Sequence, residues 1–154
     1  MIRVQEADFD IGVELARFAS GDRGVGGVAC FVGLVRDMAE GKPISAMTLE
    51  HYPGMTEKML AETEAEARRR WPLADCLVIH RYGRLRPGER IVLVATASAH
   101  RRAALEACQF LIDWLKTQAP FWKLEESPSG EARWVEAKES DDRATERWRG
   151  ARAD

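Results

Sequence analysis

The segment from residue 90 to residue 120 places the strongest constraint on the fold. Its first part, 90–97, is an almost unbroken run of apolar and β-branched residues, which is typical of a buried strand. Its second part, from residue 99 or 100 to residue 118, carries an apolar stripe at helical spacing and predicts a helix that Pro120 ends. Ser98 lies between the two and is the expected N-cap. A strand that leads into a long amphipathic helix requires a sheet with helices packed on it.

The other segments add further strands and helices. Asp10 is the expected cap of a first helix near residues 11–18, and Pro72 ends a second helix over residues 55–71. A turn at residues 86–89 lets the third and fourth strands pair as a hairpin. Besides a short extended start and a loop at 38–43, the pattern predicts strands at 28–35 (buried), 44–52, 76–82, 90–97, 121–125 and 133–136.

This mixture predicts a single α+β domain with one layer of helices on a mostly antiparallel sheet. The domain is expected to span residues 1–148, with a charged tail at 149–154. The whole segment from residue 138 onwards is dominated by charges and predicts either a solvated helix or partial disorder.

Charge and hydropathy exclude several classes of function. Lysine and arginine total 23 against 25 acidic residues, so the net charge of −2 argues against a general nucleic-acid binder. No apolar run approaches the roughly 18 residues of a membrane span, and the acidic start is unlike a secretory signal. A cytoplasmic protein without membrane contact is expected.

The cysteines and histidines give no indication of a metal or cofactor. Cys30, Cys76 and Cys108 are widely spaced within apolar runs, so reduced and buried thiols are expected. The three histidines lack metal-ligand spacing. No metal site and no cofactor are predicted.

The strand-to-helix junction at residues 97–102 is a candidate anion site. Free N–H groups and the positive end of the helix dipole would meet a phosphate or carboxylate there, and His100 and Arg101 would add charge and hydrogen bonds. Solvated first-turn side chains are the alternative, although two arginines at this end of a helix are electrostatically unfavourable. The residues alone leave both interpretations open.

Three further cations are candidates for chemistry. Lys116 lies in the last turn of the long helix, where the dipole favours it in any case. Lys123 follows Phe121 and Trp122, which should anchor the segment and hold the amine near an apolar wall, a setting that lowers the pKa of a lysine. Arg36 ends the first long strand and is either a ligand-binding cation or an ordinary charge at a strand end.

The long helix separates these candidates into two groups. Arg101 and Lys116 are 15 positions apart, which is about 22 Å on a straight helix and too far for one small ligand. If both serve one site, a second copy must supply one of them across a two-fold axis. The sequence therefore predicts a homodimer with composite sites.

Several strings carry a family resemblance: FVGLVRD (31–37), LEHYPGMTEKML (49–60), IHRYGRLRPGE (79–89), SAHR (98–101) and LKTQAPFWKLE (115–125). In this order they resemble the large, catalytic subunit of molybdopterin synthase, and the likeness runs from about residue 27 to residue 148. The resemblance implies a sulfurtransferase with an α/β-hammerhead-like fold. Such an enzyme converts cyclic pyranopterin monophosphate (precursor Z) into the molybdopterin dithiolene. Sulfur arrives as a thiocarboxylate on a ubiquitin-like small subunit, within a heterotetramer built around a dimer of large subunits.

The resemblance also implies roles for individual residues. Lys116 would be the main catalytic lysine, with Lys123 beside it. The substrate-binding positions would be Leu34, Val35, Arg36, His100, Arg101, Lys116, Lys123, Leu124, Glu125 and Lys138. The chain departs from the family pattern at Leu124, where relatives usually carry a basic or polar residue, and at Lys138, where many carry arginine, which loses bidentate geometry.

Two other classes of function remain as alternatives. A non-catalytic module could dock the C-terminal peptide of a small subunit in a basic, aromatic-lined groove. An RNA-binding domain could stack bases on Phe121 and Trp122, although the net charge disfavours it.

Overall fold

Two four-stranded sheets and four helices form residues 1–150, the part of the chain that this computed structural model describes. The helices are α1 (Ile11–Arg17), α2 (Met55–Arg70), α3 (Arg101–Gln118) and α4 (Glu139–Glu146). The strands are β1 (Ile2–Gln5), β2 (Gly27–Leu34), β3 (Met38–Ala39), β4 (Lys42–Pro43), β5 (Ala46–His51), β6 (Leu73–Arg81), β7 (Gly83–Leu85), β8 (Arg90–Ser98), β9 (Phe121–Glu126) and β10 (Ala132–Trp134).

The strands confirm the α+β class but divide into more than one sheet. The first sheet has the order β1-β6-β8-β2, with only β1 and β6 parallel, and the second has the antiparallel order β10-β9-β5-β7. The expected pairing of β6 with β8 is confirmed, but β7 lies between them in sequence and joins the second sheet. Gly83 allows this change of sheet because its φ of 91° suits glycine. The expected loop at 38–43 forms the β3–β4 ribbon.

Helices cover both faces of the first sheet, so the expectation of one helical layer was wrong. Phe110 and Leu111 of α3 pack with Val78 and Val94 on one face. The neighbouring strand residues turn to the other face, where Leu77, Ile79 and Leu93 pack against Phe9 and α1. Because both faces of β6 and β8 are covered, these strands read as continuous apolar runs.

β2 is an edge strand and is not buried as the sequence predicted. It pairs with β8 along one side only, and Val28, Phe31 and Leu34 are 51%, 41% and 51% exposed. Cys30 on the same strand is exposed, which corrects the expectation of three buried thiols. Cys76 and Cys108 are buried, and burial raises the pKa of these thiols to about 12 and about 11.

The two expected helix caps have different outcomes. Asp10 caps α1 as predicted, because its carboxylate accepts a hydrogen bond of 2.8 Å from the Val13 N–H. Ser98 is not the cap of α3: β8 continues through it, and its buried hydroxyl donates to the Pro72 carbonyl at 2.8 Å. His100 occupies the N-cap position without a side-chain cap hydrogen bond.

The charged segment after residue 138 is helical, which is one of the two predicted alternatives; most of the helix is exposed, and one side packs on the core. It forms α4, in which Thr145 is 2% exposed, and the Trp148 ring that follows packs edge-on against Trp71 and Phe110. Residues 151–154 of the expected tail lie outside the described residues. In residues 1–150, no helix is long and apolar enough to cross a membrane.

Candidate active site

A pocket of about 470 Å³ opens between α3, the second sheet and the segment that leads into α4. The end of α3, strand β9, the end of β2 and residues 135–141 form its walls. The charged residues among those lining it are Arg36, Lys116, Lys123, Glu125, Glu136, Lys138 and Asp141. The short strands and a proline-ended helix therefore bring together cations from four separate parts of the sequence.

Lys123 projects into this pocket from the middle of β9. The strand pairs with β5, with Lys123 opposite Leu49, and alternation places Phe121, Lys123 and Glu125 on the pocket side. Burial, and then the positive charge of Lys116, lower the pKa of Lys123 from 10.5 to about 8. This agrees with the lowered pKa that the sequence predicted. A lysine with a pKa near 8 can both give and take a proton close to neutral pH.

Phe121 forms the pocket wall beside Lys123 and is held there by His80, a residue that the sequence did not single out. The His80 ring stacks on Phe121 at 3.7 Å between centroids, with 16° between the planes. His80 Nδ1 lies 2.8 Å from the Arg81 carbonyl and donates to it, because a carbonyl only accepts. Burial, and then the charges of the two pocket lysines, lower the pKa of His80 to about 3, so the ring is neutral. Trp122 is 50% exposed and does not anchor the strand as expected.

Arg36 reaches the pocket from a backbone that is held on both sides. The Val35 N–H donates to the Glu89 carbonyl at 2.9 Å, and the Gly88 N–H donates to the Val35 carbonyl at 2.8 Å. Val35 itself is 3% exposed and packs with Leu49 in a small core cluster. The turn at 86–89 therefore sets the position of the Arg36 backbone. Val35 belongs to the core next to the pocket.

The structure gathers six of the ten residues proposed for the site into one pocket: Leu34, Arg36, Lys116, Lys123, Glu125 and Lys138. Val35 belongs to the core, and Leu124 points to the opposite face of β9. His100 and Arg101 lie at the other end of α3, so one chain does not bring them to the lysines.

Opposite charges nearly balance in the pocket of a single chain. Glu125 is buried, and its carboxylate lies 3.6 Å from the Arg133 guanidinium outside the pocket. Two more acidic residues line the pocket with the four cations: Glu136, which precedes α4, and Asp141, which lies in its first turn. Asp141 raises the pKa of Lys123 and so opposes the effect of Lys116. Sequence reasoning missed Asp141 because it lies in a segment that looked solvated.

The geometry indicates proton and anion chemistry. In residues 1–150, no group of three or more histidine, cysteine or acidic side chains could hold a metal ion. Two adjacent lysines, one of them with a lowered pKa, lie beside an arginine in a pocket large enough for a small molecule. A lysine with a lowered pKa in a pocket is typical of an enzyme active site, and the neighbouring cations suit an acidic group on its substrate.

Comparisons with known proteins give the family. The model described as MoaE protein matches residues 4–118. The molybdopterin synthase catalytic subunit of Ralstonia nicotianae is 56% identical over 147 residues, which is 96% of this chain and 83% of that protein. The chain therefore belongs to the MoaE family.

Solved structures show the same fold. The molybdopterin biosynthesis MoaE protein from Burkholderia ambifaria is 50% identical, with a TM-score of 0.82 over 98% of this chain and 99% of that one. A complex of subunits 1 and 2 of molybdopterin-converting factor from Helicobacter pylori has a TM-score of 0.71 at 20% identity, over 90% of each chain, and shares the fold.

Proposed function

We propose that this chain is the catalytic subunit of a molybdopterin synthase. It transfers sulfur from a thiocarboxylated, ubiquitin-like small subunit to cyclic pyranopterin monophosphate. The observation that carries this proposal is the pair formed by Lys116 and Lys123, in which burial and mutual repulsion bring the pKa of Lys123 to about 8. Family membership and the names of the relatives support it. Residues 1–148 are the catalytic domain, and the cytoplasm is the proposed location.

Each pocket residue has a role that follows from its position. Arg36, which follows a backbone held by the turn at 86–89, presents its guanidinium to the cyclic phosphate. Lys116, more exposed at the end of α3, orients the thiocarboxylate and stabilises negative charge as the reaction proceeds. Lys123 exchanges the proton, Leu34 and Glu125 shape the wall, and Lys138 contacts the substrate at the rim.

A second copy of the chain completes the site. The amino end of β2, at Gly27, lies against Arg101, whereas the carboxyl end, at Leu34, lines the pocket. An eight-residue strand spans about 24 Å, close to the roughly 22 Å between Arg101 and Lys116 along α3. If two β2 edges pair antiparallel across a two-fold axis, the junction of one copy therefore meets the pocket of the other.

The exposed apolar residues of β2 support this arrangement. An edge strand with unpaired backbone groups and exposed apolar side chains is unfavourable in water unless a partner covers it. We infer that His100 and Arg101 of one copy face Lys116 and Lys123 of the other. The N–H groups at the start of α3 have no side-chain cap and add donors for the phosphate.

The small subunit is proposed to thread its C-terminal tail into the same pocket, as an extended peptide whose terminus is captured by cations. The alternative function, a docking module without catalysis, predicts the same complex but no turnover. In the catalytic subunit Lys116 is needed for turnover, whereas in a docking module it would contribute only to binding.

Reconstitution separates the two functions. The purified chain is mixed with thiocarboxylated small subunit and cyclic pyranopterin monophosphate, and molybdopterin is measured as its fluorescent oxidised derivative. We expect Lys116→Ala to lose at least about 100-fold in turnover with the complex intact on size-exclusion chromatography. Lys58→Ala, an exposed lysine on α2, is the control and should keep full activity. A stable complex that yields no product with the unsubstituted chain would favour the docking module.

A further inference from the structure

Asp113 joins α3 to the far end of α4. Its Oδ2 accepts hydrogen bonds of 2.7 Å from the Arg147 guanidinium and of 2.7 Å from the Trp148 indole N–H. The Thr145 hydroxyl lies 3.0 Å from the Asp113 carbonyl and 3.0 Å from that of Asp141, so its one proton is shared between the two. The Asp113 side chain is 12% exposed and that of Arg147 is 47% exposed, so the bond to the Trp148 indole is better shielded from water than the ion pair.

The contacts around Asp113 hold the C-terminal end of α4. The hydroxyls of Thr145 and Thr117 lie 2.8 Å apart, and Thr117 itself lines the pocket. The Trp148 ring packs edge-on against Trp71 at 5.6 Å and against Phe110. The end of α4 is therefore anchored in the main core, although it lies beyond the residues that the family model matches.

The other end of α4 forms part of the pocket. Lys138 is its N-cap residue, and both Lys138 and Asp141 line the pocket opposite Lys116 and Lys123. A helix of eight residues is unstable on its own in water, so α4 depends on its docking to remain helical. Whatever fixes its far end also fixes the charges that it presents to the pocket.

We propose that Asp113 is a positioning residue for the substrate pocket. It holds α4 in place and thereby keeps Lys138 and Asp141 against the two pocket lysines, without itself lining the pocket. Asp113 lies three residues before Lys116 on α3, so one helical turn carries both the main catalytic lysine and the anchor of the opposite wall. The role of Lys138 as a substrate contact rests on the proposed function, whereas the anchoring of α4 does not.

The variant Asp113→Ala tests this role against Glu106→Ala. Glu106 is a matched control because it also lies on α3 and accepts a tryptophan N–H, from Trp71 at 3.0 Å, while its other hydrogen bond comes from Arg102 of the same helix. Because Trp71 packs against Trp148, this control also tests whether loss of a bond to that aromatic cluster is enough to release α4. We expect Asp113→Ala to raise KM for cyclic pyranopterin monophosphate by about tenfold with kcat within about twofold. Glu106→Ala should leave both constants near the unsubstituted values.

Hydrogen exchange of the chain without substrate tests the anchoring by itself. Amides of residues 139–148 should exchange at least about tenfold faster in Asp113→Ala, but not in Glu106→Ala. This readout holds even if the chain does not act on the pterin. Trp148→Phe keeps an aromatic ring, although a smaller one, and removes the indole hydrogen bond to Asp113. It should show a smaller change in the same direction if Asp113→Ala fails to fold. Unchanged exchange, or a loss of kcat with KM unaltered, would overturn the proposal.

Discussion

Replacing Lys123 by methionine should stabilise the protein at neutral pH while it abolishes catalysis. Burial and the charge of Lys116 lower the pKa of Lys123 from 10.5 to about 8. Below pH 8 the folded state carries the charged amine at its full cost. Between pH 8 and pH 10.5 the unfolded chain retains a proton that the folded chain has released, so stability rises with pH. The gain from removing the amine is therefore complete at pH 7 and disappears as the pH rises through this window.

The magnitude follows from the two pKa values. A change from 10.5 to about 8 corresponds to about 3.4 kcal/mol, at 1.36 kcal/mol per pH unit. Solvent at the open mouth of the pocket screens part of the repulsion, so we expect about 2 kcal/mol. For a domain of this size, that is an increase in Tm of roughly 4–8 °C.

Denaturant unfolding at about pH 7 and about pH 10 measures this gain. The control is Lys58→Met, which makes the same exchange on an exposed face of α2. Methionine also adds apolar burial at position 123, but that contribution does not depend on pH, so the difference between the two pH values isolates the charge. Equal stabilisation by Lys123→Met at both pH values, or no more than Lys58→Met gives, would refute the idea that the charged form of Lys123 destabilises the folded protein.

Two further predictions concern the stacked histidine and the second copy. Because the pKa of His80 is about 3 in the folded protein against an ordinary 6.5, stability should fall as the pH drops from 6.5 towards 3. His80→Phe should remove about 3 kcal/mol of this loss at pH 4, visible as a lower acid-unfolding midpoint by circular dichroism. Separately, mixing inactive Lys116→Ala and Arg101→Ala chains should restore about a quarter of the activity, since half of the dimers then hold one intact site. No recovery after subunit exchange would exclude a composite site.

The sequence predicted the secondary structure well because local spacing determines it. The apolar runs of β6 and β8 and the stripe of α3 needed no distant information. The division into two sheets could not be predicted, because it depends on the positive φ of Gly83 and on which strand each short segment joins. The docking of α4 was missed for a similar reason. The two residues that dock it, Thr145 and Trp148, stand alone among charges, and their partners lie on α3 or just beyond α2.

The candidate site, too, could be predicted only in part from the sequence. Arg36 and Lys116 were found because one ends a strand and the other ends a helix, and Lys123 because two aromatics precede it. The family resemblance then joined them. His80 and Phe121 are 41 positions apart, and no motif connects them, so their stacking appears only when β6 and β9 are placed. The family resemblance implied a pocket position for Leu124, but alternation along β9 places it on the opposite face of the strand from Lys123.

The near balance of charge in one pocket explains why a second copy would matter chemically. Four cations face three acidic groups in a single chain, a weak field for an anionic substrate. In the proposed dimer the partner copy's Arg101 adds positive charge, which strengthens the attraction for phosphate and lowers the pKa of Lys123 further. Binding of the anion has the opposite effect and raises the pKa of Lys123. The lysine would then take up a proton as the substrate enters and hold it next to the reacting carbons, so that dimerisation and substrate binding together set its protonation state.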